Sequence, residues 1–233
     1  MDKVCEELNH PTLVRVKSSS QKPTHWKCVV SAATGRMFQG FEYNGFLWDE
    51  GAGIDLMKSG LLGKAAKADE EHFVRRPFIG VFKVDSWKFV LVSVHLKAAG
   101  WGGVDNAQPS IEVGLLSPMI QAITVTTTGQ KDVIVVGDFN MSPENECFNE
   151  LLESGYTYLL PPEVPTNISG QNLKGNQSYD NIWVSSEVHK RKFSGVYGVI
   201  REGLQIQTEA STVGSTGSTV SDHCPVWAEF QCT

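Results

Sequence analysis

The chain has 233 residues, of which 41% are hydrophobic and 20% are charged, and its formal net charge is −6. This composition is ordinary for a soluble globular protein that buries one substantial core, and no apolar run is long enough to cross a bilayer. Proteins that bind nucleic acids are usually basic, so the acidic balance counts mildly against such a partner, although a local basic rim or a bound cation could overcome it.

The cysteines and the first residues indicate the redox state of the thiols and the cell compartment. Five cysteines are scattered along the chain without the Cys-x-x-Cys spacing of a zinc site, at positions 5, 28, 147, 224 and 232. They indicate reduced thiols rather than a disulfide framework. Residues 1–3 lead into a helical pattern with no apolar signal region. A nuclear or cytoplasmic location is therefore the default expectation, as are a monomer and a single domain over residues 1–233.

The first half of the chain predicts one helix followed by strands. Residues 2–9 have a helical pattern, and His10-Pro11 ends it because the residue before a proline is disfavoured in a helix. Strand-like runs follow at 12–16, 26–31 and 43–48, and the mixed, charged stretch 51–75 predicts a long surface loop. Residues 79–84 and 88–95 flank a polar two-residue turn and predict a hairpin, whose second strand is apolar enough to be central in a sheet.

The second half of the chain alternates helices and strands. We predict a glycine-rich loop at 97–110, a helix at 111–126, a buried strand at 133–136, and a helix from Pro143 to about Glu153 with Ser142 as its N-cap. A polar loop at 160–178 and a low-complexity run at 208–220 separate further strands at 179–184, 193–200 and 225–230. Interleaved helices and strands, with strands in excess, favour two stacked sheets with helices on their outer faces.

The stretch Gly137-Asp138-Phe139-Asn140 directly follows the buried strand and contains the first candidate site. Asp138 and Asn140 stand two residues apart at the rim of the predicted sheet, where side chains leave the core but are still held rigidly. A carboxylate suits Mg²⁺, and a carboxamide can donate to a phosphoryl oxygen. The alternative is that both residues only shape the turn, because Asp, Asn and Gly are frequent in turns.

Three more polar groups stand at predicted strand ends. His95 ends an apolar strand, Asp180 begins another, and Asp222-His223 precedes a strand that starts at a proline. Each has a structural alternative, since a lone histidine in a strand is more often structural and an aspartate at a strand start is commonly a turn residue. Histidine, with an unperturbed pKa of about 6.5, is nevertheless the natural general base at neutral pH, and a carboxylate can fix its tautomer.

The combination is more specific than any of its members. Together these residues supply oxygen ligands for a metal and two imidazoles with carboxylates to orient them. Such a set suits the metal-assisted hydrolysis of a phosphodiester, in which a cation neutralises the phosphate charge, a histidine activates water and other donors stabilise the pentacovalent transition state.

The order of the motifs HL, GDFN, DNIW and SDHCPV resembles that of the endonuclease/exonuclease/phosphatase superfamily. This superfamily includes the DNase I-like nucleases, abasic-site endonucleases, neutral sphingomyelinases and inositol polyphosphate 5-phosphatases. The resemblance covers roughly residues 95–229, and CEELNHPTL, GFLWD, DNIWVS and REGL narrow it to a vertebrate branch. It implies a DNase I-like, four-layer α/β sandwich with two central sheets, in agreement with the assignment above.

The resemblance also implies roles for the residues that attack the phosphodiester. His223 would be the general base and Asp180 its orienting partner. Asp138 would orient the attacking water or bind a metal, and Asp222 would be a second carboxylate on the metal side. The implied cofactor is Mg²⁺ or Mn²⁺.

A second group of residues is implied to contact the phosphate. Asn140 would contact the scissile phosphate, and His95 would contact or protonate one of its oxygens. In the DNase I-like branch this histidine pairs with a glutamate that precedes an aromatic-rich strand, and Glu42 is the matching residue. Arg76 is a candidate phosphate clamp, with a loop-closing surface arginine as the alternative.

One part of the superfamily pattern has no match. Its members begin with a strand that carries an asparagine, then a helix and a strand that ends in Gln-Glu, whose glutamate is a principal Mg²⁺ ligand. The chain matches the pattern only from the following helix, so we expect an N-terminally incomplete domain with weakened metal binding. Three functions stay open: an Mg²⁺-dependent DNA endonuclease, which we favour, a phospholipid or inositol-phosphate phosphoesterase, and a catalytically impaired interaction domain.

Overall fold

The computed structural model describes residues 1–12, 25–37, 40–63, 71–98, 107–127, 129–169, 172–204 and 221–232. The helices of these ranges are α1 (Asp2–Asn9), α2 (Gln108–Gly114), α3 (Leu116–Thr126), α4 (Asn149–Glu153) and α5 (Ser186–Arg191). The strands are β1 (Trp26–Val30), β2 (Gly35–Met37), β3 (Gly40–Glu42), β4 (Gly45–Asp49), β5 (Ile54–Leu61), β6 (Phe78–Val84), β7 (Trp87–His95), β8 (Val133–Asp138), β9 (Tyr156–Tyr158), β10 (Asp180–Ser185), β11 (Phe193–Val199) and β12 (Val226–Phe230). Short 3-10 helices lie at Glu50–Ala52 and Glu146–Phe148.

A six-stranded sheet forms the centre of the molecule, with the strand order β5-β6-β7-β8-β10-β9. Strands β7 and β8 are parallel, and the other neighbours are antiparallel. The predicted hairpin is confirmed as β6 and β7, with Asp85 of its turn at a positive φ of 52°. The second strand is central, as its apolar sequence indicates: both of its edges are paired, and Val90 and Val92 are fully buried.

Both faces of this sheet are covered. On one face, α2, α3 and α4 pack against the central strands, and Val133, Val135 and Trp183 are fully buried there. On the other face lie two-stranded ribbons, β1–β4 and β11–β12, which enclose two smaller apolar clusters. Helix α1 lies against β1, where the Asn9 side chain bonds to the backbone of Trp26. The predicted α/β sandwich with stacked β-layers flanked by helices is therefore confirmed, and its second layer consists of ribbons.

The predicted surface loop at 51–75 is wrong in part, because strand β5 occupies Ile54–Leu61 and pairs with β6 along its length. The pairing slips between Leu56 and Lys58. This irregularity breaks the two-residue alternation by which a half-buried strand is recognised. Because β5 is an edge strand whose exposed positions include the charged Asp55 and Lys58, its composition also resembles that of a loop.

Two predicted helices differ from the structure. The helix expected from Pro143 is wrong in its first part: a turn is followed by the 3-10 helix Glu146–Phe148, and the α-helix begins at Asn149. Asn145 caps the 3-10 helix by accepting a hydrogen bond from the backbone N–H of Cys147 at 3.0 Å, a role that the sequence assigns to Ser142. The helix expected at 111–126 begins at Gln108 and is divided at Leu115 into α2 and α3.

Some of the predicted segments lie outside the residues that the structure describes. The predicted strand at 12–16, apart from Thr12, and the low-complexity run at 208–220 lie outside the described residues, as does most of the glycine-rich loop. All five cysteines are free thiols, as the sequence predicts. Among the described helices, none combines the length and apolar character needed to cross a membrane.

Candidate active site

Three neighbouring strands bring the central residues of the site into one row. Asp138 ends β8, where it is the register partner of His95 at the end of the parallel strand β7. On its other side, Asp138 is the partner of Asp180, which begins the antiparallel strand β10. The polar strand ends noted in the sequence therefore meet at one edge of the sheet.

The turn after β8 fixes the orientation of Asp138. Gly137 has φ of +142°, and a Cβ at this position would lie 1.9 Å from the carbonyl oxygen of Val94, so no other residue fits without a backbone shift. Asn140 adopts φ of 52°, a left-handed conformation that asparagine tolerates better than most residues. Its backbone N–H donates to Asp138 Oδ1 at 2.8 Å, and its Nδ2 donates to Asp138 Oδ2 at 3.1 Å and to the carbonyl of Leu96 at 2.8 Å.

His223 pairs with Asp180 on one side of Asp138. The distance from His223 Nδ1 to Asp180 Oδ2 is 2.8 Å. The same oxygen accepts a hydrogen bond from the hydroxyl of the fully buried Thr166 at 2.7 Å. Because an ionised carboxylate is only an acceptor, Nδ1 must carry the imidazole proton. The basic lone pair of a neutral His223 therefore lies on Nε2, which is the nitrogen on the side of Asp138.

His95 pairs with Glu42 on the other side of Asp138. His95 Nδ1 lies 2.8 Å from Glu42 Oε2, and Arg75 Nη1 lies 3.3 Å from Glu42 Oε1. By the same reasoning, Nδ1 of His95 donates and Nε2 is left to face the site. The pairing of Glu42 with this histidine, which the sequence suggests only through resemblance, is present in the structure.

Both imidazoles converge on a single carboxylate oxygen. Asp138 Oδ2 lies 3.4 Å from Nε2 of His95 and 3.8 Å from Nε2 of His223. Burial raises the pKa of Asp138 above the usual aspartate value, and the nearby negative charge of Asp180 raises it further. The site therefore concentrates negative charge that histidine protons or a cation would offset.

The electrostatics of His223 follow from its carboxylate neighbours. The hydrogen bond to Asp180 raises the pKa of His223 to about 9, burial opposes this shift, and the charges of Asp138 and Asp222 add to it. The imidazolium form is thus favoured at neutral pH. A group that must act as a base at neutral pH needs some of this negative charge to be offset.

The donor set fits a divalent cation. Among the described residues, one group of three has ligand atoms within 4.8 Å of one another: Asp138, Asp180 and His223. Carboxylate oxygens are the ligands that Mg²⁺ prefers. Burial and the charge of Asp180 both raise the pKa of Asp138, and a bound cation would offset both effects, so the chemistry of the site and its electrostatics agree.

Two predicted residues do not reach this group in the structure. Arg76 Nη1 donates to the carbonyl of Leu62 at 3.2 Å, which makes it a loop-closing contact. Asp222 is exposed, and the three-residue ligand group does not include it. The other six predicted residues lie together: Glu42, His95, Asp138, Asn140, Asp180 and His223.

Three polar residues that lie around the site were not identified from the sequence. Thr166 lies within a polar loop, and its contact with Asp180 depends on the bridge between Asn167 and His223. Arg75 precedes the arginine that was singled out, and only the structure shows which of the two turns inward. Glu112 falls at a helical position with no motif around it. No sequence signal distinguishes these three from ordinary surface residues.

The known sequences to which this chain is similar include relatives that share one name. Endonuclease/exonuclease/phosphatase family domain-containing protein 1 from Homo sapiens is 36% identical over 233 residues, and that from Xenopus laevis is 34% identical over 232 residues. Each match covers 99% of this chain and 41% of the relative, so the chain spans about two fifths of the length of these relatives. No protein-family model matches the chain.

Solved structures with the same fold include proteins of several kinds. An endonuclease/exonuclease/phosphatase family protein from Bacteroides thetaiotaomicron has a TM-score of 0.63 at 15% identity and covers 88% of this chain and 74% of its own. The mannosyl-6-phosphatase Bt3783 of that bacterium has a TM-score of 0.63 at 16% identity, covering 93% and 80%. TDP2 from D. rerio, in complex with a single-strand DNA product, has a TM-score of 0.59 at 13% identity, covering 88% and 77%.

Proposed function

We propose that the chain is a DNase I-like domain of the endonuclease/exonuclease/phosphatase superfamily, as its relatives and its fold indicate, and that it acts as an Mg²⁺- or Mn²⁺-dependent phosphodiester hydrolase. DNA is the substrate that we favour, with cleavage inside a strand. The observation that carries the proposal is the convergence of two carboxylate-oriented histidines on Asp138.

His223 activates the attacking water in this proposal. Asp180 holds Nδ1–H at 2.8 Å, so Nε2 takes the proton of the water as its oxygen attacks phosphorus. Asp180 also stabilises the imidazolium that results, because its charge lies beside the ring. Thr166 keeps Asp180 in place through the 2.7 Å bond to the shared oxygen.

His95 acts on the phosphate from the opposite side. Its Nδ1 is held by Glu42 at 2.8 Å, and its Nε2 is directed toward Asp138 at 3.4 Å. When Nε2 carries a proton as well as Nδ1, it donates a hydrogen bond to a phosphoryl oxygen, where negative charge grows in the transition state. Two imidazoles oriented in this way place a base and an acid on either side of one carboxylate.

Asp138 orients the attacking water and is the first of the residues that would hold the cation, together with Asp180. When bound, Mg²⁺ or Mn²⁺ supplies charge neutralisation at the phosphate. Asn140 can contact the scissile phosphate only if a hydrogen bond of the structure breaks, because its Nδ2 already donates to Asp138 and to Leu96. Contact with phosphate through this amide therefore opens one of those bonds. The metal role of Asp222 and the phosphate role of Arg76 stay predictions.

Two neighbours in fold suggest different substrates. One is described in complex with a single-strand DNA product, which supports nucleic acid as the partner of this chain. Another is a mannosyl-6-phosphatase, whose name specifies a phosphorylated small molecule. That second neighbour keeps open a phospholipid or inositol-phosphate substrate. Since the same site geometry serves both chemistries, the two must be separated by experiment.

A substrate panel with the purified chain tests the proposal. Supercoiled plasmid and fork-like DNA would be incubated with Mg²⁺, Mn²⁺ or a chelator, beside phospholipid and inositol-phosphate substrates. Nicking that requires the metal supports the DNA hydrolase. Turnover of only the lipid or inositol phosphates would replace it with the second candidate. Inactivity on every substrate with either metal would contradict a hydrolase and favour an interaction domain.

A further inference from the structure

Arg75 is a buried cation next to the candidate site that the proposed mechanism does not use. Its side chain is only 8% exposed, and a buried arginine is rarely stable unless acceptors compensate for the loss of water. The guanidinium is therefore held by groups of the protein. The identity of those groups determines what the residue does.

Arg75 bonds to both partners of one histidine–carboxylate pair and to the residue that follows the histidine. Its Nε donates to the backbone carbonyl of His95 at 2.7 Å, and its Nη2 donates to the carbonyl of Leu96. Its Nη1 lies 3.3 Å from Glu42 Oε1, while the other oxygen of that carboxylate receives Nδ1 of His95. The planar fork of arginine thus ties the backbone of the histidine to the side chain that orients its ring.

The same contacts extend to Asp138. The carbonyl of Leu96 accepts a second hydrogen bond, from Asn140 Nδ2 at 2.8 Å, and this nitrogen also donates to Asp138 Oδ2. The backbone N–H of Leu96 donates to the carbonyl of Asp138 at 2.9 Å. Leu96 therefore stands between Arg75 and the turn that presents the central carboxylate.

The segment that carries Arg75 is itself held by a buried glutamate. Glu112 of α2 is fully buried, and its two oxygens accept from the backbone N–H groups of Val74 and Lys97, each at 2.7 Å. Val74 precedes Arg75, and Lys97 follows the carbonyl group of Leu96 that Arg75 binds. One carboxylate thus joins the donor segment to the acceptor segment, and it fixes the distance across which the guanidinium reaches.

We propose that Arg75, held in register by Glu112, is the positioning residue of the Glu42–His95 pair. It sets the direction of the Glu42 carboxylate, and through it the tautomer and ring orientation of His95. Arg75 contacts neither the phosphate nor the attacking water. The consequence for catalysis rests on the proposed hydrolase function, whereas the consequence for the hydrogen bond of His95 does not.

The first test is a proton NMR spectrum of the metal-free protein. An imidazole Nδ1–H that is bonded to a carboxylate gives a downfield signal, and the two signals followed here come from the half-buried His95 and His223. His25, whose Nδ1 lies 3.0 Å from Glu50 Oε2, is about twice as exposed, so its proton exchanges faster with water. In Arg75→Met, which removes the fork but keeps most of the chain length, we expect the signal of His95 to disappear and that of His223 to stay. Arg75→Lys has one ammonium group where arginine has a fork that reaches three acceptors. It should therefore keep a His95 signal that is weaker than in the wild type.

Glu112→Gln supplies an independent variant, since its amide has one acceptor oxygen for two backbone donors. We expect the same selective loss of the His95 signal. Arg191→Met is the matched control, because Arg191 pairs with Asp132 rather than with either histidine. It should retain both signals. Retention of the His95 signal in both Arg75→Met and Glu112→Gln would overturn the proposal, and so would loss of both histidine signals together, which would indicate a general effect on folding.

The kinetic test follows on whichever phosphodiester the chain cleaves. Loss of a residue that orients a metal ligand typically lowers metal affinity or activity about 10- to 100-fold, and we take the same range for a residue that orients His95. We expect a kcat that is lower by this factor in Arg75→Met, with KM nearly unchanged, and a smaller loss in Arg75→Lys. A rise in KM at constant kcat would instead make Arg75 a substrate-binding residue and contradict the assignment. An inactive parent chain would refute the hydrolase but leave the NMR result valid.

Discussion

His223 is the residue whose loss we expect to stop hydrolysis. His223→Ala removes Nε2, the base, and general base catalysis typically contributes about 10²- to 10⁴-fold to the rate. The side chain is 32% exposed, so the variant should still fold, with a Tm that is lowered by the loss of the pair with Asp180. Activity on plasmid DNA and a thermal melt measure the two effects. His25→Ala, at an exposed histidine that pairs with Glu50, is the control. Full metal-dependent activity in His223→Ala would show that the base is assigned wrongly.

The raised pKa of His223 also predicts how stability depends on pH. The pKa is raised from 6.5 to about 9 by the hydrogen bond to Asp180, so the folded state binds the proton more tightly than the unfolded state. The resulting stability is fully present below pH 6.5 and is lost as the pH rises through about 9. The raised pKa of Asp138 has the same sign, since its proton also favours the folded state, but it acts at the lower pH where aspartate titrates.

Urea unfolding of the metal-free protein across this window measures the effect. The free energy of unfolding should fall with rising pH in the wild type and should fall less steeply in His223→Gln, which cannot be protonated. The two proteins should differ most below pH 6.5 and least above about 9. Parallel curves for the two proteins would mean that the ion pair with Asp180 does not contribute.

At the residue scale, the sequence identifies side chains better than it identifies their contacts. The motifs place Asp138, Asp180 and His223 at strand ends, and the structure brings them together. The position of Asp138 between Asp180 and His95 depends on the register of strands that are distant along the chain. The choice between Arg75 and Arg76 depends on which side of an extended segment faces the core, and composition does not contain that information.

Gly137 is the residue on which the packing of β7 against β8 depends. A Cβ there would lie 1.9 Å from the carbonyl oxygen of Val94, and φ is +142°. We expect Gly137→Ala to destabilise the protein by at least about 1–3 kcal/mol, the usual range for one strained backbone residue. The activity should fall as well, because Asp138 follows directly. Urea denaturation measures the change.

Gly114→Ala is the matched control for that substitution. Gly114 lies in α2 with nothing within 4 Å of an added Cβ. Alanine at a helical position is favoured over glycine by about 0.5–1 kcal/mol, so this variant should be as stable as the wild type or slightly more so. Equal effects of the two substitutions would show that close strand packing at Gly137 does not matter.

At the element scale, strongly patterned segments were predicted and irregular ones were not. The apolar runs gave β7, β8 and β10 because central strands are buried on both faces. Strand β5 was missed because its register shift and exposed edge remove the alternation. The helix after β8 was placed too early because Ser142-Pro143 has the composition of a helix start, whereas the capping asparagine is Asn145. Local composition therefore decides poorly between a turn and a first helical turn.

For the whole molecule, we expect a divalent cation to stabilise the fold. A ligand at a concentration about 100-fold above its Kd adds about 2.7 kcal/mol, which corresponds to roughly 5–10 °C in Tm for a chain of this size. The Tm should therefore rise with Mg²⁺ or Mn²⁺ in the wild type and not in Asp138→Asn. Asp55→Asn, at an exposed residue of β5, should respond as the wild type does.

The same titration decides the role predicted for Asp222. If its carboxylate belongs to the metal side, Asp222→Asn should lose part of the rise in Tm, and if it does not, the variant should behave as Asp55→Asn. A cation that stabilises Asp138→Asn as strongly as the wild type would contradict the assignment of Asp138 as a ligand. Neither result requires a known substrate.

The fold class was predictable because several levels of the sequence agreed. Interleaved apolar strands and helices favoured an α/β sandwich, and the ordered motifs implied the same architecture. The division of the second layer into ribbons was not predictable, since it depends on which short strands find partners. The substrate is equally absent from the pattern, because the motifs contain the groups that would act on a phosphate and not those that would select the rest of a substrate.

The most direct test of the proposed metal-dependent hydrolase is cleavage of supercoiled DNA by the wild type and by Asp138→Asn, with Mg²⁺ and with a chelator. Asparagine keeps the shape of the residue but removes the charge on which both histidines converge. If Asp138 is essential for hydrolysis, the wild type should nick the DNA when the metal is present and the variant should hardly do so. Equal nicking by both proteins, or nicking that persists in the chelator, would contradict it.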